Sequence, residues 1–541
     1  MKHKINTLII CVLILSFSFI LAQQKTDITS DEVRIALRLI NIKFKEEYVE
    51  TLKGYLERNK RGYQELRESP LDNNVKPAVS FSLDSPPSYV YDIAFDLIET
   101  ELPENKTDLV FYSLRELAYL IKNKRITSKE LTETFLDRIK KYDNKLNAVV
   151  TITDSVAFLQ ADKADAEIEK GKYRGPLHGI PYGIKDLASY PGYPTTWGAV
   201  PFKNQFLEEK AEVIKKLEES GAVMLCKLSS GSLARGDVWY GAKTLNPWDL
   251  SQGASGSSAG SASATAASLL PFTIGTETLG SIISPSTRCG VTGLRPTYGA
   301  VSTDGFMTLS WSMDKVGPIA KSAVDCAVVF NEIKNNSIRT TKKMNFNLDD
   351  KNLKIGYLKS LFDNDTSRYK DNNNKTLGLL KKRFELTPLK LPDNYPFSSF
   401  DIILRSEAGA FFDDFILKNM DSSMVEQGER SRANSLRQSR LIPAVEYIQA
   451  NRFRSLLVNE VKEVFKDFDV ILSPSFGKNQ LMTTNLTGHP SISVPNGFDD
   501  EGRPTSISLI GNYYEEHKIL YFADILQKNS NYHKLVPPGF E

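Results

Sequence analysis

From Ser251 to Ser268 the chain reads SQGASGSSAGSASATAAS, and every residue except Gln252 and Thr265 is Ser, Gly or Ala. A stretch with no bulky side chain can form only two things: a solvated tether, or a place where backbones approach closely and adopt unusual torsions. The flanks decide between them. Asn246-Pro247-Trp248-Asp249 precedes the run, and the apolar stretch Leu269 to Ile274 follows it and leads into Gly275-Thr276-Glu277-Thr278-Leu279-Gly280-Ser281-Ile282. A tether has no reason to end in a buried strand and a second turn that displays a serine, so the run reads as part of a packed site.

Three residues in such segments form a proton relay and nucleophile set that needs no histidine: Lys185, Ser257 and Ser281. Four segments carry a resemblance. They are Gly175 to Asp186 (GPLHGIPYGIKD), Gly256 to Ser261 (GSSAGS), Gly275 to Ile282 (GTETLGSI) and Cys289 to Gly299 (CGVTGLRPTYG). In this order, with Ser281 lying 24 positions after Ser257, the chain resembles the amidase signature enzymes from about Asp108 to about Lys528. The C-terminal stretch Asn485 to Phe498 extends the likeness.

The resemblance implies amide hydrolysis through an acyl-enzyme. Ser281 is then the nucleophile, and Ser257, whose preceding peptide bond is cis in that family, bridges it to Lys185 as neutral general base. A serine hydroxyl needs such a base within hydrogen-bond reach, and an ordinary lysine near pKa ~10.4 must be depressed by burial or a nearby cation to serve. The backbone N–H groups of Thr278, Leu279, Gly280 and Ser281 are the implied oxyanion donors. The chain departs from the usual family pattern at Glu277 (commonly Asp), Leu279 (often Gly) and Ile283 (often Arg), so no substrate is carried over from better-known members. Ser258, Asp186 and Asp314 are expected to support the reacting groups, and His178 to hold structure rather than to react.

Composition narrows the alternatives. Five histidines, at 3, 178, 489, 517 and 533, show no ligand spacing, so no metal is called for. There is no G-x-S-x-G elbow around either serine and no nucleotide-binding glycine fingerprint, so no cofactor is called for either. Lys+Arg 68 against Asp+Glu 66 gives no basic stripe for nucleic acid. Cys226, Cys289 and Cys326 are widely spaced and read as buried thiols, with a single bridge left open.

Met1-Lys-His-Lys4 followed by the apolar run Leu8 to Leu21 and Ala22 matches a secretory leader over residues 1–22. The run is 14 residues, short of the ~20 that span a bilayer, which favours a cleaved leader and an exported (periplasmic or secreted) protein over an uncleaved anchor. Residues 23–106 read as a charged, helical extension interrupted by prolines at 70, 77, 86, 87 and 103. The catalytic domain is expected over 107–535. It opens with two capped helices, since Ser113/Glu116 and Thr127/Glu130 have capping-box spacing.

Short strand-like runs at Asn147–Ile152, Val223–Lys227 and Lys354–Leu358 alternate with helical stretches such as Lys210–Ser220, while Asp363–Lys375 reads as a surface loop. The fold class is therefore α/β: a central mixed sheet covered by helices on both faces. The function is hydrolysis of a carboxamide to an acid and ammonia or an amine, acting on a small-molecule or peptide amide. Two alternatives stand beside it: the glutaminase-type subunit of a tRNA-dependent amidotransferase, and an exported binding protein that kept the fold without the chemistry.

Overall fold

A computed structural model describes residues 28–40, 42–69, 78, 90–335, 341–346 and 353–541. The leader and the prolines at 70, 77, 86 and 87 lie outside these residues. Eleven strands form the central sheet: β1 (Val149–Ile152), β2 (Pro181–Lys185), β3 (Val223–Leu228), β4 (Phe272–Glu277), β5 (Thr292–Arg295), β6 (Lys315–Ala320), β7 (Ile355–Leu358), β8 (Leu386–Leu389), β9 (Val470–Pro474), β10 (Ser491–Phe498) and β11 (Pro504–Gly511). Their spatial order is β8-β7-β9-β11-β10-β5-β6-β4-β2-β3-β1. The sheet is mixed. β2 runs parallel to both β3 and β4, whereas β6 is antiparallel to β4 and β5.

Helices cover both faces, as the α/β reading expects. The central strands β2, β3, β4 and β6 are near-continuously buried, which is why they read as apolar runs rather than alternating ones. Both capping boxes form: Ser113 caps the helix Leu114–Lys122 and Thr127 the helix Ser128–Tyr142, each paired with its glutamate three residues on. The Asp363–Lys375 reading is corrected. A helix occupies Lys370–Lys381 and buries Asn373, Thr376, Leu377 and Leu380, so its apolar stripe lies mostly beyond the polar residues that suggested a loop.

The helices used below are α1 (Ser30–Leu39), α2 (Glu46–Glu68), α3 (Ala259–Ala266), α4 (Ile283–Cys289), α5 (Asp401–Phe411), α6 (Arg432–Ser439), α7 (Ala444–Val464) and α8 (Gln480–Thr487). The first two belong to the N-terminal extension. They pack onto the body of the protein, α2 lying against α6 and α7.

The small-residue run is no tether. Its second half is α3, buried at every position from Ala259 to Ala266, against β4, β6 and β2. A Cβ at Gly260 would stand 2.4 Å from the Ala148 carbonyl oxygen and 2.5 Å from the Ser229 amide nitrogen, so the helix can seat here only without a side chain. Because both obstacles are backbone, Gly260→Ala is expected to cost at least about 2 kcal/mol. Urea denaturation measures this, and an unchanged midpoint would show that the helix is not held by this close approach.

Candidate active site

Lys185 is the last residue of β2, and Thr276 lies near the end of the adjacent parallel β4. Side chains at the carboxyl ends of neighbouring parallel strands face the crevice where α/β sheets bind ligands. Lys185 is fully buried, and its Nζ lies 2.7 Å from Ser257 Oγ, 3.1 Å from Ser258 Oγ and 2.9 Å from Thr276 Oγ1. Burial pushes its pKa well below the ordinary lysine value, against the opposing pull of Asp314 and Glu277.

Nζ as an ammonium donates to all three hydroxyls; in a neutral amine, with two N–H donors and one lone pair, one of the three would instead donate to it. Ser258 is excluded, because its hydroxyl already donates to the Thr276 carbonyl at 3.0 Å while accepting from the Thr276 amide at 3.1 Å. Ser257 and Thr276 remain, and the Ser257 hydroxyl is the nearer of the two.

The peptide bond Gly256-Ser257 is cis. A Cβ on Gly256 would lie 1.8 Å from the Gly236 carbonyl oxygen, so only glycine fits. The Ser258 amide donates to the Ser281 carbonyl at 3.1 Å, which ties the two serine segments together. Ser281 itself is partly exposed, whereas Ser257 is buried. Outside the strand ladder, no hydrogen bond among the described residues engages the amides of Thr278, Leu279, Gly280 or Ser281. Gly280 turns the chain there with a φ of 86°, a conformation glycine adopts without steric cost.

Two carboxylates hold this turn. Glu277 is fully buried and accepts from the amides of Ile282 at 2.8 Å and Ile283 at 2.9 Å, from Arg295 Nη1 at 2.9 Å and from Asn485 Nδ2 at 2.8 Å. Burial alone pushes its carboxyl up, but the Arg295 guanidinium and the Ile283 amide outweigh it and hold the pKa at about 2. Asp314 accepts from Thr278 Oγ1 at 2.6 Å and from the amides of Leu309 and Ser310 at 2.7 and 3.0 Å, and burial raises its pKa. A cavity of about 20 Å³, room for one water, sits beside the turn among Thr276, Thr278, Asp314, Lys315 and Ala234.

Asp186 serves elsewhere. It is buried against Lys227 Nζ at 2.7 Å and accepts from the Thr196 amide and hydroxyl, which pins the loop after β2 rather than touching the relay. His178 is also structural: its Nδ1 accepts from the Arg174 amide at 3.2 Å, and burial lowers its pKa to about 4. Sequence reasoning missed Thr276, although two-residue strand alternation within GTETLGS could have marked it. Arg295 and Asn485 as partners of Glu277 left no local signal. The three cysteines are buried free thiols.

A buried lysine amine of depressed pKa against one serine, with a second serine on the adjoining turn, can run acyl transfer without histidine. The amidase family matches residues 130–484. The glutamyl-tRNA(Gln) amidotransferase A-type subunit of Acinetobacter baumannii (strain AB0057) is 31% identical over 484 residues, covering 79% of this chain and 98% of that protein. Its counterpart in Carboxydothermus hydrogenoformans is 31% identical over 485 residues, covering 80% and 99%.

Among solved structures, the native peptide amidase from Stenotrophomonas maltophilia superposes with a TM-score of 0.69 at 24% identity, over 80% of this chain and all of that one. A bacterial aryl acylamidase superposes with a TM-score of 0.70 at 21% identity, over 79% and 99%. These two show the fold. The chain belongs to the amidase signature family, and with it to the enzymes of amide C–N hydrolysis.

The depressed Glu277 carboxyl contributes stability that is present above the ordinary glutamate value of 4.5 and is lost as pH falls towards 2. Glu277→Gln is expected to lower stability near pH 7 by on the order of 3 kcal/mol, with the gap to wild type closing over that acid window. Denaturant titrations at several pH values measure it. A constant gap would mean that the charge contributes nothing.

Proposed function

We propose that the protein is an amidase that cleaves a carboxamide to a carboxylic acid and ammonia or an amine through an acyl-enzyme on Ser281. The observation that carries this reading is the fully buried Lys185 amine at 2.7 Å from Ser257, with Ser258 already donating to the Thr276 carbonyl and burial pushing the lysine pKa down. Ser281 Oγ attacks the amide carbonyl as its proton passes to Ser257, whose own proton passes to Lys185. The carbonyl oxygen, now negative, takes hydrogen bonds from the amides of the Thr278–Ser281 turn, each such donor being worth about 10²–10³ in rate. When the tetrahedral intermediate collapses, the C–N bond breaks and the lysine proton returns through Ser257 to the leaving nitrogen. Water then attacks the acyl-enzyme by the same relay in reverse, which frees the acid and restores Ser281. The apolar leader supports an exported location for this enzyme.

A second reading, glutaminase-type subunit of an amidotransferase, is favoured by the names of the curated relatives. Assay of the purified chain against glutamine, primary amides, amidated peptides and acylamides separates the two. A strict preference for glutamine that appears only with partner subunits would favour the second.

Ser281→Ala is expected to abolish turnover and labelling by a fluorophosphonate while leaving thermal unfolding unchanged. Label recovered on another serine would overturn the nucleophile. Ser257→Ala should remain slow rather than dead, losing on the order of the 10²–10⁴-fold that positioned proton transfer supplies. Lys185→Arg should be as inactive as Lys185→Ala, because a guanidinium stays charged and cannot accept the proton. Near-normal activity in the arginine variant would exclude lysine as the base.

A further inference from the structure

Helix α6 is buried along its whole length and begins at Arg432, which is 5% exposed. Arg432 Nε donates to the Leu233 carbonyl at 3.0 Å and Nη2 to the Ala234 carbonyl at 3.1 Å. Among the described residues, no carboxylate pairs with it. A buried guanidinium that serves only neutral carbonyls is costly, so what those carbonyls do becomes the question.

Leu233 and Ala234 both have left-handed backbones, with φ of 48° and 59°. Two successive non-glycine residues there cost roughly 1–2 kcal/mol each and persist only where the surroundings enforce them. The loop they begin reaches Gly236, whose carbonyl oxygen fills the space a Cβ would need on Gly256, and Asp237 Oδ2, which accepts from the Ser255 amide at 2.9 Å. Gly236 and Asp237 are thus the wall against which Ser255 and Gly256, the residues that lead into Ser257, are seated. Ala234 also lines the small cavity beside Thr276 and Thr278.

The other end of the chain of contacts is the N-terminal extension. On α2, the Thr51 carbonyl accepts from Asn434 Nδ2 at 2.8 Å, Thr51 Oγ1 donates to Asn434 Oδ1 at 3.2 Å, and Asn59 Nδ2 donates to Gln438 Oε1 at 2.8 Å. The Arg437 guanidinium lies over the Tyr48 ring at 3.4 Å. Polar bonds to residues 434 and 438, together with the cation over the ring, fix α6 both along and about its axis. The curated relatives are matched over nearly their whole length, while about a fifth of this chain lies outside the match.

We propose that Arg432 is a positioning residue for Ser257, acting through the left-handed pair Leu233–Ala234, and that α2 is the brace that keeps Arg432 in place. The N-terminal extension is then part of the catalytic apparatus rather than an appendage. This inference rests on the amidase reading, and it adds a residue and an element that the relay itself does not contain.

The test uses the full chain, with steady-state kinetics on an accepted amide and the rate of fluorophosphonate labelling of Ser281. In Arg432→Met, kcat and labelling should fall by about 10²-fold, the order expected when a reacting group is displaced by an ångström, while KM stays within about twofold. Arg432→Lys, whose ammonium keeps the charge and can still donate to the two carbonyls, should recover part of the loss. Thr51→Val with Asn59→Leu should lower kcat without touching any residue near the nucleophile.

A folded Arg432→Met enzyme with wild-type kcat overturns the positioning role. If that variant does not fold, unchanged kcat in a folded Arg432→Gln, whose shorter side chain cannot bond both carbonyls as the guanidinium does, overturns the role in the same way. Unchanged kcat in the folded α2 variant overturns the brace. A wild-type chain that neither turns over amides nor takes the label contradicts the amidase reading instead.

Discussion

Everything at the site depends on holding one lysine amine in the interior. Lys185 ends a fully buried strand, and burial pushes its pKa far down even though Glu277 and Asp314 pull the other way. Such an amine is stable only if each of its three hydrogen-bonding positions has a partner. Ser257, Ser258 and Thr276 supply them, and Ser258 is held to the role of acceptor by its own bond to the Thr276 carbonyl. That arrangement leaves the Ser257 and Thr276 hydroxyls facing the amine and requires the small-residue run to arrive at the ends of β2 and β4 with its backbone close to both.

The close approach explains the composition that first marks the chain. Gly256 abuts the Gly236 carbonyl, Gly260 abuts Ala148 and Ser229, and a Cβ on Gly275 would stand 2.9 Å from Ser258 Oγ. Packing then hands over to electrostatics at the nucleophile turn. Glu277 gathers the first two amides of the segment after Ser281, together with Arg295 from β5 and Asn485 from α8. The turn from Thr278 to Ser281 is thereby held from its C-terminal side, and in the proposed mechanism its amides are the preorganised donors that are often the largest single contribution to acyl-transfer catalysis.

Much of this is legible in the sequence because it rests on local rules. Capping boxes at Ser113 and Thr127, the half-buried strand at 149–152, the buried one at 223–228 and the three residues of the proposed relay all have short-range signatures. What is not legible depends on contacts between distant segments. Arg295 and Asn485 reach Glu277 from 18 and 208 positions away, and Asp186 finds Lys227 through a strand pairing. The helix Lys370–Lys381 hides within a loop-like stretch, since Asp, Asn and Lys dominate its first turns and its buried residues come mainly in the last ones. The packing of α2 on α6 leaves no trace in the sequence, because amphipathic pattern says that a helix has a partner and not which one.

The central claim is that Lys185 is neutral at physiological pH, and the most direct test is to observe its amine. In protein labelled with ¹⁵N at lysine Nζ, with Lys185→Met providing the assignment, the resonance lost in the mutant should show the shift of a neutral amine at pH 7 and become an ammonium only at lower pH. An ammonium signal for Lys185 that persists to about pH 10, the ordinary lysine range, would contradict the account, because a charged lysine has no lone pair with which to take the Ser257 proton.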